Sequence, residues 1–113
     1  FKLNTKEKVL ASIEKTLSGS VVTANDYNQA ASYYFTEQLD LKKALEWSTK
    51  AVEMKGVSAY WMTRLKSQIQ AANGDVKGAI ETAKISMEAA KADGDNAYVS
   101  ANQKSIEEWS KKR

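Results

Sequence analysis

The chain has 113 residues, 42% hydrophobic and 27% charged, which fits one folded domain with a single core and argues against disorder. Its net charge of +3 comes from 17 basic and 14 acidic residues spread along the sequence. With no basic stripe interleaved with aromatics, nucleic acid is not an expected partner. Cysteine and histidine are both absent, which removes thiolate and imidazole metal sites, cysteine nucleophiles and Ser-His-Asp triads.

Proline is missing and the five glycines fall mostly where helices should stop, so the apolar spacing can be read as six helices in order. The first is predicted over about Thr5 to Leu17, with Val9, Leu10, Ile13 and Leu17 on one face and Gly19 just beyond. Val21-Val22-Thr23 is the only β-branched cluster, too short for a strand and sitting in a connection. The second helix covers about 24–38, capped by Thr23 with Asp26 three residues on, and buries Tyr27, Ala31, Tyr34 and Phe35. Asp40 caps the third, about 41–55, whose stripe is Leu41, Ala44, Leu45, Ser48, Ala51 and Val52 and which ends at Gly56. Ser58 is expected to cap the fourth, about 59–72, with Trp61, Met62, Leu65 and Ile69 inward. Asn73-Gly74 turns the chain and Asp75 caps the fifth, about 76–91, with Val76, Ala79, Ile80, Ala83, Met87 and Ala90 on one face. The sixth covers about 96–111 after Gly94-Asp95, placing Tyr98, Ile106 and Trp109 on one side and mostly charge on the other. No apolar run approaches the roughly 20 residues that would span a membrane, so membrane insertion is not expected.

Three of these helices echo one another. Thr5, Asp40 and Asp75 stand 35 residues apart, each before a helix-forming run. Val9/Leu10, Ala44/Leu45 and Ala79/Ile80 follow at matching offsets, and Leu17, Val52 and Met87 close the runs. An echo near this period marks a stack of helix hairpins, each burying its apolar face on the next. Met62, Leu65 and Ile69 fall on buried positions at a spacing of 34, with one extra residue in the Ala72–Gly74 turn. A strict 35 would bury Lys66, at a cost of several kcal/mol unless it paired or snorkelled.

Two segments resemble tetratricopeptide (TPR) repeats. The run YYFTEQLDLKKALEWSTKAVEM resembles the turn and second helix of that family, with Asp40 at the turn, Ala44 at the small crossing position and Ala51 at the second alanine. The run NGDVKGAIETAKISMEAA repeats the pattern with Gly74-Asp75, Ala79, Ile80 and Ala83. Small residues there let the two helices of a hairpin approach closely. The chain departs from the family at Asn28, where an aromatic is usual, and at Gly56 and Lys91, where a proline is usual. The runs RLKSQIQAANGDVKGAIETAKISMEAAK and KSIEEW are also similar to the C-terminal part of an uncharacterised bacterial family. In its members an exported β-rich domain of unknown function precedes a TPR-like tail, which implies the cell envelope or periplasm. On that likeness, and with Phe1 rather than Met first, the chain reads as the C-terminal piece of something longer.

The expectation is therefore an all-α fold, a six-helix right-handed TPR-like array of three antiparallel hairpins forming one domain over residues 1–113. The TPR resemblance implies a concave surface that takes extended peptides. Its liners would be Asp26, Gln29, Tyr33 and Thr36 from one unit, and Thr63, Arg64 and Ser67 from the next, with either Tyr60 or Trp61. Trp47, on the edge of its stripe, is the candidate partner-facing aromatic, whereas Trp61 and Trp109 are assigned to packing. No catalytic residues, cofactor or metal site are expected; the paired carboxylates Glu107-Glu108 and Glu37 with Asp40 read as solvated charge. The function so read is a non-catalytic interaction or structural module docking a peptide, a partner protein or its own upstream domain. The alternative is the scaffold or lid of an enzyme whose active site lies upstream.

Overall fold

The computed structural model describes residues 23–56 and 59–112. These residues form helices α1 (Ala24–Thr36), α2 (Leu41–Lys55), α3 (Tyr60–Ala72), α4 (Val76–Asp93) and α5 (Asn96–Lys112), with no strand among them. The helix predicted over about 5–17 lies outside the described residues, as does Ser58.

Local chemistry sets the helix ends. Thr23 and Asp26 form a reciprocal capping box: the Thr23 hydroxyl accepts from the Asp26 N–H at 3.1 Å, and the Asp26 carboxylate accepts from the Thr23 N–H at 3.0 Å. Asp40 and Asp75 cap α2 and α4, accepting from the N–H groups of Lys43 at 3.1 Å and Gly78 at 2.9 Å. α3 starts differently. Its N-cap position falls on Ala59, which makes no side-chain cap bond, so this helix depends on its neighbours. α1 stops at Thr36 because Gln38 adopts a φ of 54°, which lets the Leu39 N–H return to the Tyr34 carbonyl at 2.8 Å. α4 runs to Asp93, two residues past the predicted end, before Gly94 takes the left-handed conformation at a φ of 78°.

Short connections make successive helices antiparallel neighbours. α3 is central and touches all four other helices. The odd-numbered helices also meet one another, α1 with α3 and α3 with α5, whereas α2 and α4 do not touch. The odd helices therefore form the closer, inner layer of a two-layer stack.

The core is built from small side chains. Ala30, Ala31, Ala44, Trp47 and Ile69 form one buried cluster, and Ala51, Ala59 and Met62 a second, both joining α1 and α2 to α3. Tyr27, Tyr34, Phe35, Leu45 and Leu65 pack around the first as half-buried residues. Between α3 and α4 the buried residues are smaller still: Thr63 and Ser67 against a face holding Ala79, Ala83, Ser86 and Ala90. Such residues permit a close helix crossing. Met62 and Ile69 are both fully buried, as the 34-residue spacing with an insertion in the turn requires, and Lys66 is half-buried.

The two central tryptophans exchange the roles expected of them. Trp47 is only 7% exposed and packs edge-on against Tyr34, with ring centroids 4.7 Å apart and the Lys43 ammonium 5.8 Å from its ring. The buried stripe of α2 is Ala44, Trp47, Ser48 and Ala51, rotated from the expected one so that Leu45 and Val52 move to its margin. Trp61 is 43% exposed. α3 turns Tyr60, Thr63 and Ser67 inward against α4 and α5, and that rotation carries Trp61 out.

Candidate functional site

The residues expected to line one concave surface separate into two groups. Gln29 and Thr36 are exposed and Tyr33 is half-buried, and their spacing of four and three residues puts them on one side of α1. Asp26 is half-buried and engaged in the capping box. The α3 residues are not surface liners. Thr63 is 2% exposed and donates to the Tyr60 carbonyl at 3.1 Å, while Ser67 is fully buried and donates to the Arg64 carbonyl at 2.6 Å. Both are small enough to face the α4 crossing, and the helix backbone satisfies their hydroxyls. Arg64 is half-buried and held by α5, donating to Asn102 Oδ1 at 3.1 Å and Ser105 Oγ at 3.3 Å. Trp47, in the core, presents no face to a partner.

What remains open is a strip along α1 that leads into a hollow. Phe35, Thr36, Gln38, Leu41 and Ala72 line this hollow of about 530 Å³, where the ends of α1 and α3 meet the start of α2. Its wall is fixed by Asn73, whose amide donates to the Leu41 carbonyl at 3.0 Å and the Ile69 carbonyl at 3.1 Å. Phe35, Leu41 and Ala72 supply apolar surface, and Thr36 and Gln38 supply hydrogen-bonding groups. A space of this kind accepts an apolar side chain while the polar groups meet its backbone. None of the five lining residues is an acid or a base. Among the described residues no three acidic side chains gather as a metal site would need, and no helix is long and apolar enough to cross a membrane.

A buried polar network ties α3, α4 and α5 together on the other side of the molecule. Ser86 donates to the Tyr60 carbonyl at 2.7 Å and accepts from the Asn102 amide at 2.9 Å; the Asn102 carbonyl oxygen in turn accepts from Arg64. Ser86 and Asn102 are both fully buried. Neither was singled out by the sequence, although Tyr98, Asn102, Ser105 and Trp109 share one helical face and Ser86 lies within the stripe of α4. The Tyr60 hydroxyl meets two carboxylates, Asp93 at 2.8 Å and Asp95 at 3.1 Å, and its ring stands edge-on to Tyr98 at 5.1 Å. One phenol thus holds the end of α4 and the start of α5.

Hydrogen bonding to Asp93, then burial, then hydrogen bonding to Asp95 push the Tyr60 phenol well above its ordinary value near 10. Above about pH 10 the unfolded chain releases this proton while the folded chain keeps it, so stability falls as pH rises. Urea melts between about pH 8 and pH 11.5 are expected to show this decline, with a shallower slope in Tyr60→Phe. Equal slopes would mean that the two carboxylates do not hold the phenol.

No protein-family model, curated protein or solved structure matches the chain.

Proposed function

We propose that this chain is a TPR-like, non-catalytic interaction module that holds an extended segment of another protein, or of its own upstream domain. The segment lies along α1 across Gln29, Tyr33 and Thr36 and places one large apolar side chain in the hollow beside Phe35 and Leu41. The observation that carries this reading is the continuity of the open α1 strip with an apolar hollow bordered by Thr36 and Gln38. The complete burial of Ala44, Ala51, Ala79 and Ala83 supports it, since these are the small positions matched to the TPR pattern. So does the two-layer packing, in which α1, α3 and α5 make the inner layer.

Panning a random decapeptide display library against the protein tests the reading. Enriched peptides are expected to share a single aromatic or branched aliphatic anchor. Thr36→Arg, which puts a charge beside the hollow, should weaken the best peptide by about tenfold or more. Tyr33→Ala should weaken it less, and Lys104→Ala on α5 should leave it unchanged. Failure to enrich any peptide, or equal binding by Thr36→Arg and the parent, would overturn the proposal.

A further inference from the structure

α4 carries a second surface, separate from the α1 strip. Ile85 stands near the middle of its outer face and is 45% exposed. It borders a hollow with Lys84, Glu88 and Ala89, and Ala89 also borders a second hollow beside Trp61. Two of the three large hydrophobics exposed among the described residues, Trp61 and Ile85, are therefore linked through Ala89. Together they give this face a small apolar element beside its charges.

The charges around Ile85 indicate which partner. Glu81, Lys84, Glu88 and Lys91 are all exposed on this face. About position 86 their signs invert on reversal: Glu81 and Lys91 lie five residues to either side, and Lys84 and Glu88 two residues to either side. Such a helix is complementary to a copy of itself laid antiparallel, because a two-fold axis sets residue i against j and j against i. The outer face of α2 has a comparable alternation in Lys43, Glu46, Lys50 and Glu53, but its exposed apolar residue, Met54, lies at the end of the stripe. Of these two faces, α4 is the one whose exposed large apolar residue, Ile85, lies at the centre of the charge pattern along the helix, with the four charges together on one side of it around the axis.

We infer that the outer face of α4 binds a second copy of this chain in an antiparallel, two-fold pairing. The charge pairs form its centre, and Ile85 and Ala89 form its apolar edge toward Trp61. Lys84 faces the partner's Glu88, and Glu81 faces the partner's Lys91. A contact built mainly on one 18-residue helix is at the small end of specific interfaces, so the dimer is weak and reversible. It leaves the α1 strip free, and either surface can fail its test without affecting the other.

Sedimentation equilibrium from about 10 μM to about 1 mM reads the association directly. The parent chain is expected to show a monomer–dimer equilibrium within that range. Lys84→Glu and Glu88→Lys each set like charges opposite one another at two symmetry-related places, and each should weaken dimerisation by about tenfold or more. An equimolar mixture of these two single variants should recover the parent's association, because every opposed pair is again of opposite sign. Neither variant regains an attractive pair between positions 84 and 88 within its own helix, so recovery reports the contact between chains. Ile85→Ser should weaken association too, with its circular dichroism melt showing whether the fold is retained. A parent chain that stays monomeric to about 1 mM, single variants that dimerise like the parent, or a mixture no better than its components would each overturn the proposal.

Discussion

Ile69→Ala is expected to destabilise the protein by about 2–5 kcal/mol, toward the upper end of what one aliphatic truncation costs. Ile69 is fully buried in a cluster with Ala30, Ala31, Ala44 and Trp47. Three of those four neighbours end at a methyl group and cannot extend into the space left by the lost branches. The fourth is a rigid ring pinned edge-on against Tyr34. With the fully buried neighbours unable to fill the space, the cost grows with the cavity volume that the half-buried side chains around the cluster leave open. Domains of this size are stable by about 5–15 kcal/mol, so the loss would be visible as a large drop in the urea midpoint. Leu45→Ala, at a half-buried position packed on the edge of the same cluster, should cost less. If the two changes cost the same, Ile69 does not occupy the centre assigned to it.

The second large effect is expected at Asn102. Replacement by alanine removes the acceptor of Arg64 and the donor to Ser86 together, and should cost about 2–3 kcal/mol. Asn102→Leu should not recover that loss, because an apolar side chain of similar volume returns neither bond and leaves Arg64 with Ser105 and Ser86 with the Tyr60 carbonyl as their remaining partners. The decisive measurement is a double-mutant cycle with Arg64→Ala. Residues that share a hydrogen bond should show a coupling of about 1 kcal/mol, and strict additivity would mean that Arg64 and Asn102 act separately. An Arg64 that closes α3 onto α5 belongs to the scaffold, which is why it is absent from the proposed peptide surface.

Five helices and three of their caps were legible in the sequence because the signals are local. Thr23, Asp40 and Asp75 announce themselves beside an apolar stripe, and Asn73-Gly74 and Gly94 mark turns. The rotation of each helix about its axis was less legible. On α2, counting Leu45 and Val52 as fully inward displaced the stripe enough to put Trp47 on the surface. On α3 the error ran the other way: grouping Trp61 with Met62 and Leu65 by helical spacing put it inward, whereas the second buried face of this helix consists of Tyr60, Thr63 and Ser67. Periodicity reports which residues share a face, but not how near the facing helix comes. The hollow beside Phe35 was invisible for a related reason. It is formed by the ends of three helices and by the left-handed turn at Gln38, a conformation for which glutamine gives no sequence signal.

The central place of α3 has a consequence for how the molecule comes apart. Among the described residues, α1 and α2 meet α4 and α5 through α3 and make no direct helix contact with them. α3 also lacks a side-chain cap and draws its stability from the two pairs it separates. Loss of α3 therefore exposes an apolar face on both sides at once, and tightening either pair protects it. Amides in α3 should exchange with solvent only when the described helices open together, whereas the ends of α1 and α5 can fray singly. The described helices are therefore expected to melt in a single transition, with α3 as the element that couples the two pairs.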